Sequence, residues 1–257
     1  MWDRTILKSN ARVALTGRYG TAYAACLLVS LITGVFDIME RFRAESSGWF
    51  FGDSFFYMRE QPQRPYYLNI VLAVFVGIPL TVGLARFFVR NRFGETDLRT
   101  VFSGFRRDYG NTLGAMFGTD LLVLLWMFLL IIPGIIKSME YSMVPYILSD
   151  NPSMPGGRAR QISGRMTDGE KGAVFVLYLS FCGWYFLAAA AIAAGNRVFR
   201  PAAGLISAAV IPLVTAYQKA TFAELYIFMR DRAIRSGAAR PEEFGLVPPQ
   251  PDAHPAA

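Results

Sequence analysis

Histidine is almost missing from this chain. The only one, His254, sits in a Pro/Ala-rich tail. Catalytic triads that need an imidazole base, His-rich metal sites and the paired-His zinc-protease motif are therefore not expected. Cysteine is nearly as scarce: Cys26 and Cys182 both lie inside apolar runs and share no metal-ligand spacing, so neither a structural disulfide nor a metal cluster is implied. No phosphate-binding glycine loop, dinucleotide fingerprint or Cys-pair cluster is present. Gly118-Thr119-Asp120 lacks the glycine-flanked aspartate and second catalytic aspartate of an intramembrane aspartyl protease. The sequence reads as non-enzymatic, with no cofactor. Charge is also sparse, at 18% of residues against 53% hydrophobic, too little to clothe a soluble globule, where ~25% is usual.

What charge there is falls between long apolar runs. Uncharged stretches cover Tyr19–Phe36, Tyr66–Ala85, Leu121–Ile136, Gly172–Asn196 and Pro201–Gln218. A helix crossing hydrocarbon needs ~20 apolar residues, so four of these qualify directly. The third qualifies once extended back through Asp120 to Thr112. The first has no small-residue cleavage site behind it and reads as a retained span rather than a signal peptide. The net charge of +7 does not call for a nucleic-acid partner, because the Lys and Arg residues occupy short loops in the positive-inside manner.

Charge counting sets the topology. Pro133-Gly134 breaks a helix, and Ser149-Asp150-Asn151-Pro152 is a turn and helix-restart signal. If the stretch between them crosses back, the inner segments carry 18 Lys and Arg and the outer ones 6; if it does not, the count is 12 against 12. The first is a normal bias and the second is none. The expectation is an all-α polytopic inner-membrane protein, with about six transmembrane helices and both termini cytoplasmic. Its fourth span is short, starts at Pro-Gly and reaches only ~25 Å. Carrying Lys137, Glu140 and Pro145, that span should be enclosed by the others.

One domain is expected over 1–235, followed by a disordered cytoplasmic tail over 236–257. Residues 3–16 read as an amphipathic surface helix. Leu98, Val101, Phe102 and Phe105 form a second apolar stripe, with Thr96 or Asp97 as its cap and arginines beside it. Ala159, Ile162 and Met166 form a weaker third, against which Gly156-Gly157 argues. Trp49, Phe50, Phe51, Phe55, Phe56 and Tyr57 crowd the outer loop, as an interfacial anchor or a docking surface for a membrane-protein partner.

The polar residues inside spans are Asp120, Lys137, Glu140, Lys219 and Glu224. Lys137 and Glu140 stand at i, i+3 and can neutralise each other. Asp120 and Lys219 fall at similar depth, so a buried pair is geometrically possible, and Glu224 can reach a basic loop residue. With Tyr141 and Tyr146, these seven form either a structural network or the wall of a polar cavity, bounded by the fourth segment and spans three and six. Gly114 with Gly118, and Ala73 with Gly77, are small-xxx-small pairs suited to close helix contact.

The run Ile131-Ile132-Pro133-Gly134-Ile135-Ile136-Lys137, followed by Tyr141-Ser142-Met143, Pro145-Tyr146-Ile147-Leu148 and Asp150-Asn151-Pro152, resembles the bacterial membrane proteins grouped as domain of unknown function 975. Leu7-Lys8 with Ala14-Leu15 upstream, and Gly183-Trp184, Ala223-Glu224 and Tyr226 downstream, are similar too. The resemblance spans roughly residues 4–230 and implies an integral membrane fold without naming an activity. Two functional classes follow: a scaffold or accessory protein in the lipid bilayer, or a small transporter or channel with a polar cavity around the fourth segment.

Overall fold

Asp3 opens the first helix by accepting from the Thr5 amide, which satisfies one of the amide donors left free at a helix start. The computed structural model describes residues 2–34, 70–106, 108–198 and 203–246. The aromatic outer loop, His254 and the end of the tail lie outside the described residues. Within them every regular element is helical. Helix α1 (Arg4–Leu15) buries Leu7, Ala11 and Leu15, as its amphipathic spacing predicts. Gly17, at φ +73°, then turns the chain by 96° into α2 (Tyr19–Thr33).

Helix α3 (Ile70–Arg92) relaxes into a π turn over Ala73–Gly77 before its buried half begins at Ile78. The stripe at Leu98–Phe105 is a 3-10 helix capped by Asp97. It lies directly on α3. A Cβ on Gly83 would fall 1.8 Å from the Val101 carbonyl oxygen, and one on Gly104 would fall 2.2 Å from that of Pro79. The two glycines let the backbones touch, a role that sequence periodicity does not reveal.

Helix α4 (Tyr109–Leu129) is followed, after the single extended residue Leu130, by α5 (Ile131–Glu140). Where one short helix from Pro133 to Ser149 was expected, there are two. The turn Tyr141–Met143 separates α5 from α6 (Val144–Asp150), and neither is long enough alone to cross hydrocarbon. Pro145 sits in the first turn of α6, where the missing amide is harmless. The helix also starts before Pro133 rather than at it.

Helix α7 (Gly156–Thr167) forms despite its double glycine. A Cβ at Gly156 would meet the Ala115 Cα at 2.7 Å, so the glycine is what lets α7 approach α4. Helices α8 (Lys171–Val198) and α9 (Ala203–Arg235) complete the bundle. By length and composition three helices suit a membrane crossing, Ile70–Arg92, Tyr109–Leu129 and Lys171–Gly195; the bent α1–α2 pair makes a fourth.

The first part of the tail is packed, while 247–257 lie outside the described residues. Residues 236–246 are ordered: Phe244 is buried, Arg158 grips the Glu243 carboxylate with two nitrogens, and Asn151 donates to the Glu243 carbonyl. One buried aromatic and a bidentate ion pair hold this segment against the bundle. Gly114 has open space where a side chain would go, and Gly118 faces only the tip of Arg160 at 3.6 Å. Among the described residues, the first small-residue pair therefore brings no neighbouring helix backbone close. Gly77 has only ordinary van der Waals contact with Thr33, 3.8 Å away.

Candidate functional site

The break between α5 and α6 frees backbone groups that must be satisfied. Ser163 on α7 does so twice: its hydroxyl donates to the Glu140 carbonyl at 2.6 Å and accepts from the Met143 amide at 3.3 Å. The kink is thereby held open, with no orphaned amide or carbonyl at these two positions.

A cavity of about 260 Å³ lies beside this kink. Its walls are α4 (Met116, Thr119, Asp120, Val123), the α5–α6 turn (Ser138, Tyr141, Ser142, Tyr146), α8 (Tyr178) and α9 (Gln218, Lys219, Phe222). The lining comes from the segment after Pro133, from α4 and from α9, with Tyr178 of α8 added. Asp120 is the only exposed residue among them, so it stands at the mouth. The two serine hydroxyls donate to carbonyls of their own helix, Ser138 to Ile135 and Ser142 to Met139. Tyr146 donates to the Lys219 carbonyl at 3.4 Å and stacks on Tyr226. Gln218 accepts from Tyr185.

The charged residues separate into two groups. Lys137 and Glu140 are paired at 2.9 Å, but neither lines the cavity. Glu140 turns instead toward α7 and α8, where Lys171 reaches it at 2.8 Å. Glu224 takes Arg92 at 2.6 Å, the basic loop-side partner expected for it. Asp120 and Lys219 do line the cavity, yet no ion pair joins them, and neither has an ionic partner among the described residues. Shared depth did not bring them within bonding distance.

Several participants escaped the sequence reading. Lys171 and Ser163 fall between the expected fourth and fifth spans, where nothing in the sequence marks them as facing Glu140. A second cluster is also absent from it: Tyr226 and Arg230, one turn apart on α9, both bind Asp150 Oδ2, at 2.7 and 3.0 Å. The i, i+4 spacing of Tyr226 and Arg230 was visible, but their partner was not. Among the described residues no group of three acidic, Cys or His side chains is arranged to hold a metal ion.

No curated protein and no solved structure matches the chain. One family model does, over residues 109–232, and its description is "Protein of unknown function (DUF975)". That stretch contains α4 to α8 and most of α9, and so all the cavity-lining residues. This match, over a little under half of the chain, supports membership of the DUF975 family.

Proposed function

We propose that this chain is a multi-pass inner-membrane protein with both ends in the cytoplasm, which binds a small polar solute or ion in the cavity beside the α5–α6 kink. One contrast carries the reading. Glu140, Asp150, Glu170 and Glu224 each have a basic partner, whereas Asp120 and Lys219 line a cavity with no ionic partner among the described residues. Lys219 faces the cavity from within the bundle, where an unpaired charge is costly, and Asp120 stands at its mouth, so a hydrated or solute-filled site accounts for both. A binding role fits better than a catalytic one, because the serine hydroxyls are committed to backbone carbonyls rather than to a base.

The return of the chain supports the topology. Asn111, at the start of α4, donates to the carbonyls of Pro152 and Met154 at 2.7 and 2.8 Å, so the chain leaves α6 where it entered α4. That keeps 150–171 with the N-terminus on the positively charged side. A second reading, a membrane scaffold or accessory protein, is favoured by the cross-helix ion pairs themselves.

The test is reconstitution in liposomes with flux and thermal-shift readouts over a panel of small anions, cations and amino acids. A solute class that raises Tm should lose its effect in Lys219→Met or Asp120→Asn, with the folded yield retained. If no solute acts, and cysteines placed at Ser138 and Ser142 stay unreactive from both sides, the scaffold reading takes over.

A further inference from the structure

The depth of the α4–α5 hairpin follows from its own contacts. A Cβ on Gly134 would lie 2.6 Å from the Met127 Cα, which fixes the register of the two arms. Stepping back equally along both from that contact brings Asp120 level with Tyr141, and both line the same cavity. Glu140 is held against α7 through its backbone carbonyl by Ser163 and bridged to Lys171, the first residue of α8. Asp120, Glu140 and Lys171 therefore share one level, at the charged end of the bundle.

Helix α5 has 10 residues, so the turn at Leu130 stands at most ~15 Å beyond that level. Tilt only makes it shallower. The apolar length of α8 runs 25 residues from the same level, ~37 Å at the same rise. The hairpin thus ends near the middle of a ~30 Å hydrocarbon core, and α8 continues past it.

Its surface agrees. The buried residues of α4 are Thr112, Ala115, Met116 and Thr119, all on the near side of Asp120. Beyond it Phe128 is 91% exposed and Ile132 73%, and no charged residue occurs from Leu121 to Ile136. A turn lying in outer water would present polar side chains; this one presents Phe, Leu and Ile. Its backbone is also economical. Leu130 donates to Trp126 and accepts from Gly134, and Pro133 has no amide to orphan in lipid.

We propose that the α4–α5 hairpin is re-entrant: it enters the bilayer from the cytoplasmic side, turns at Leu129–Ile132 among acyl chains near the midplane, and leaves on the side it entered. The expected six crossings become four, by α2, α3, α8 and the first part of α9, plus this hairpin, and the count of 18 basic residues inside against 6 outside is unchanged.

The test uses full-length protein with Cys26 and Cys182 replaced, carrying Leu130→Cys or, as a cytoplasmic control, Gly157→Cys. Neither site has packing to lose: Leu130 is 60% exposed, and Gly157 has open space around it. In vesicles of either orientation, Gly157→Cys should react with an impermeant maleimide from the cytoplasmic face, and Leu130→Cys at least tenfold more slowly from both. A fluorophore on Leu130→Cys should be quenched more by lipids spin-labelled deep in the acyl chain than by headgroup-labelled ones. Rapid reaction from the outer face would establish a full crossing and overturn the proposal. Rapid reaction from the inner face would place the tip in water, and a disulfide between two copies without acyl quenching would make it a protein interface; either also overturns it.

Discussion

Removing the Glu140 carboxylate tests whether the end of α5 is held by charge. Glu140→Ala leaves two ammonium groups, Lys137 at 2.9 Å and Lys171 at 2.8 Å, without their acceptor. A hydrogen bond to a charged group contributes about 1.5–3 kcal/mol. Both lysines keep close to a third of their surface exposed, 30% and 31%, so water recovers much of the loss. For the two contacts together we take about 2 kcal/mol. In a chain of this size that corresponds to a fall in Tm of roughly 4–8 °C, measured by thermal unfolding in detergent. Glu140→Gln, which retains the acceptor oxygen, should lose about half as much. The double change Lys137→Met with Glu140→Leu should not restore stability, because Lys171 stays unpaired; adding Lys171→Met should restore part of it. Effects that simply add across the three positions, or a shift under about 1 °C for Glu140→Ala, would refute the coupling.

Two further outcomes follow from contacts elsewhere. Gly83→Ala and Gly104→Ala each drive a Cβ into a backbone carbonyl and should remove about 3 kcal/mol or more, whereas Gly114→Ala, with open space around it, should be neutral or stabilising by up to ~1 kcal/mol; equal Tm values for the three would contradict the packing of the 3-10 helix on α3. The hydrogen bond from Arg158 lowers the Glu243 pKa, so its contribution is full above the ordinary glutamate value and is lost as pH falls through the folded one; amide exchange over 236–246 should accelerate in that acidic window, and Arg158→Ala should make it fast already at neutral pH.

Composition and charge placement were enough to anticipate helices throughout, the amphipathic α1 and a cap at Thr96 or Asp97, because these depend on local spacing and on hydropathy alone. The Lys137–Glu140 pair was equally legible, being one turn apart on one helix. What stayed hidden depends on contacts between distant segments. The chain does not announce that Gly83 meets Val101 and Gly104 meets Pro79, that Gly156 opens a helix because Ala115 lies against it, or that one buried phenylalanine and one arginine hold residues 236–246.

The α5–α6 kink shows why the site resisted a purely local reading. Residues 133–149 carry a continuous pattern of apolar and polar positions that suits one helix, and Pro145 alone does not reveal where it breaks. The break falls at Tyr141–Met143 because Ser163, twenty residues later, satisfies both the Glu140 carbonyl and the Met143 amide. Past the break Tyr141 and Ser142 line the cavity with Lys219 and Gln218, while Lys137 stays over the Tyr141 ring at 5.5 Å and Glu140 also reaches Lys171. The same break shortens α5 to 10 residues and so limits how far the hairpin tip extends. Cavity, ion pair and hairpin depth thus share one cause, and Ser163→Ala should disturb all three together, where Glu140→Ala disturbs only the ion pair.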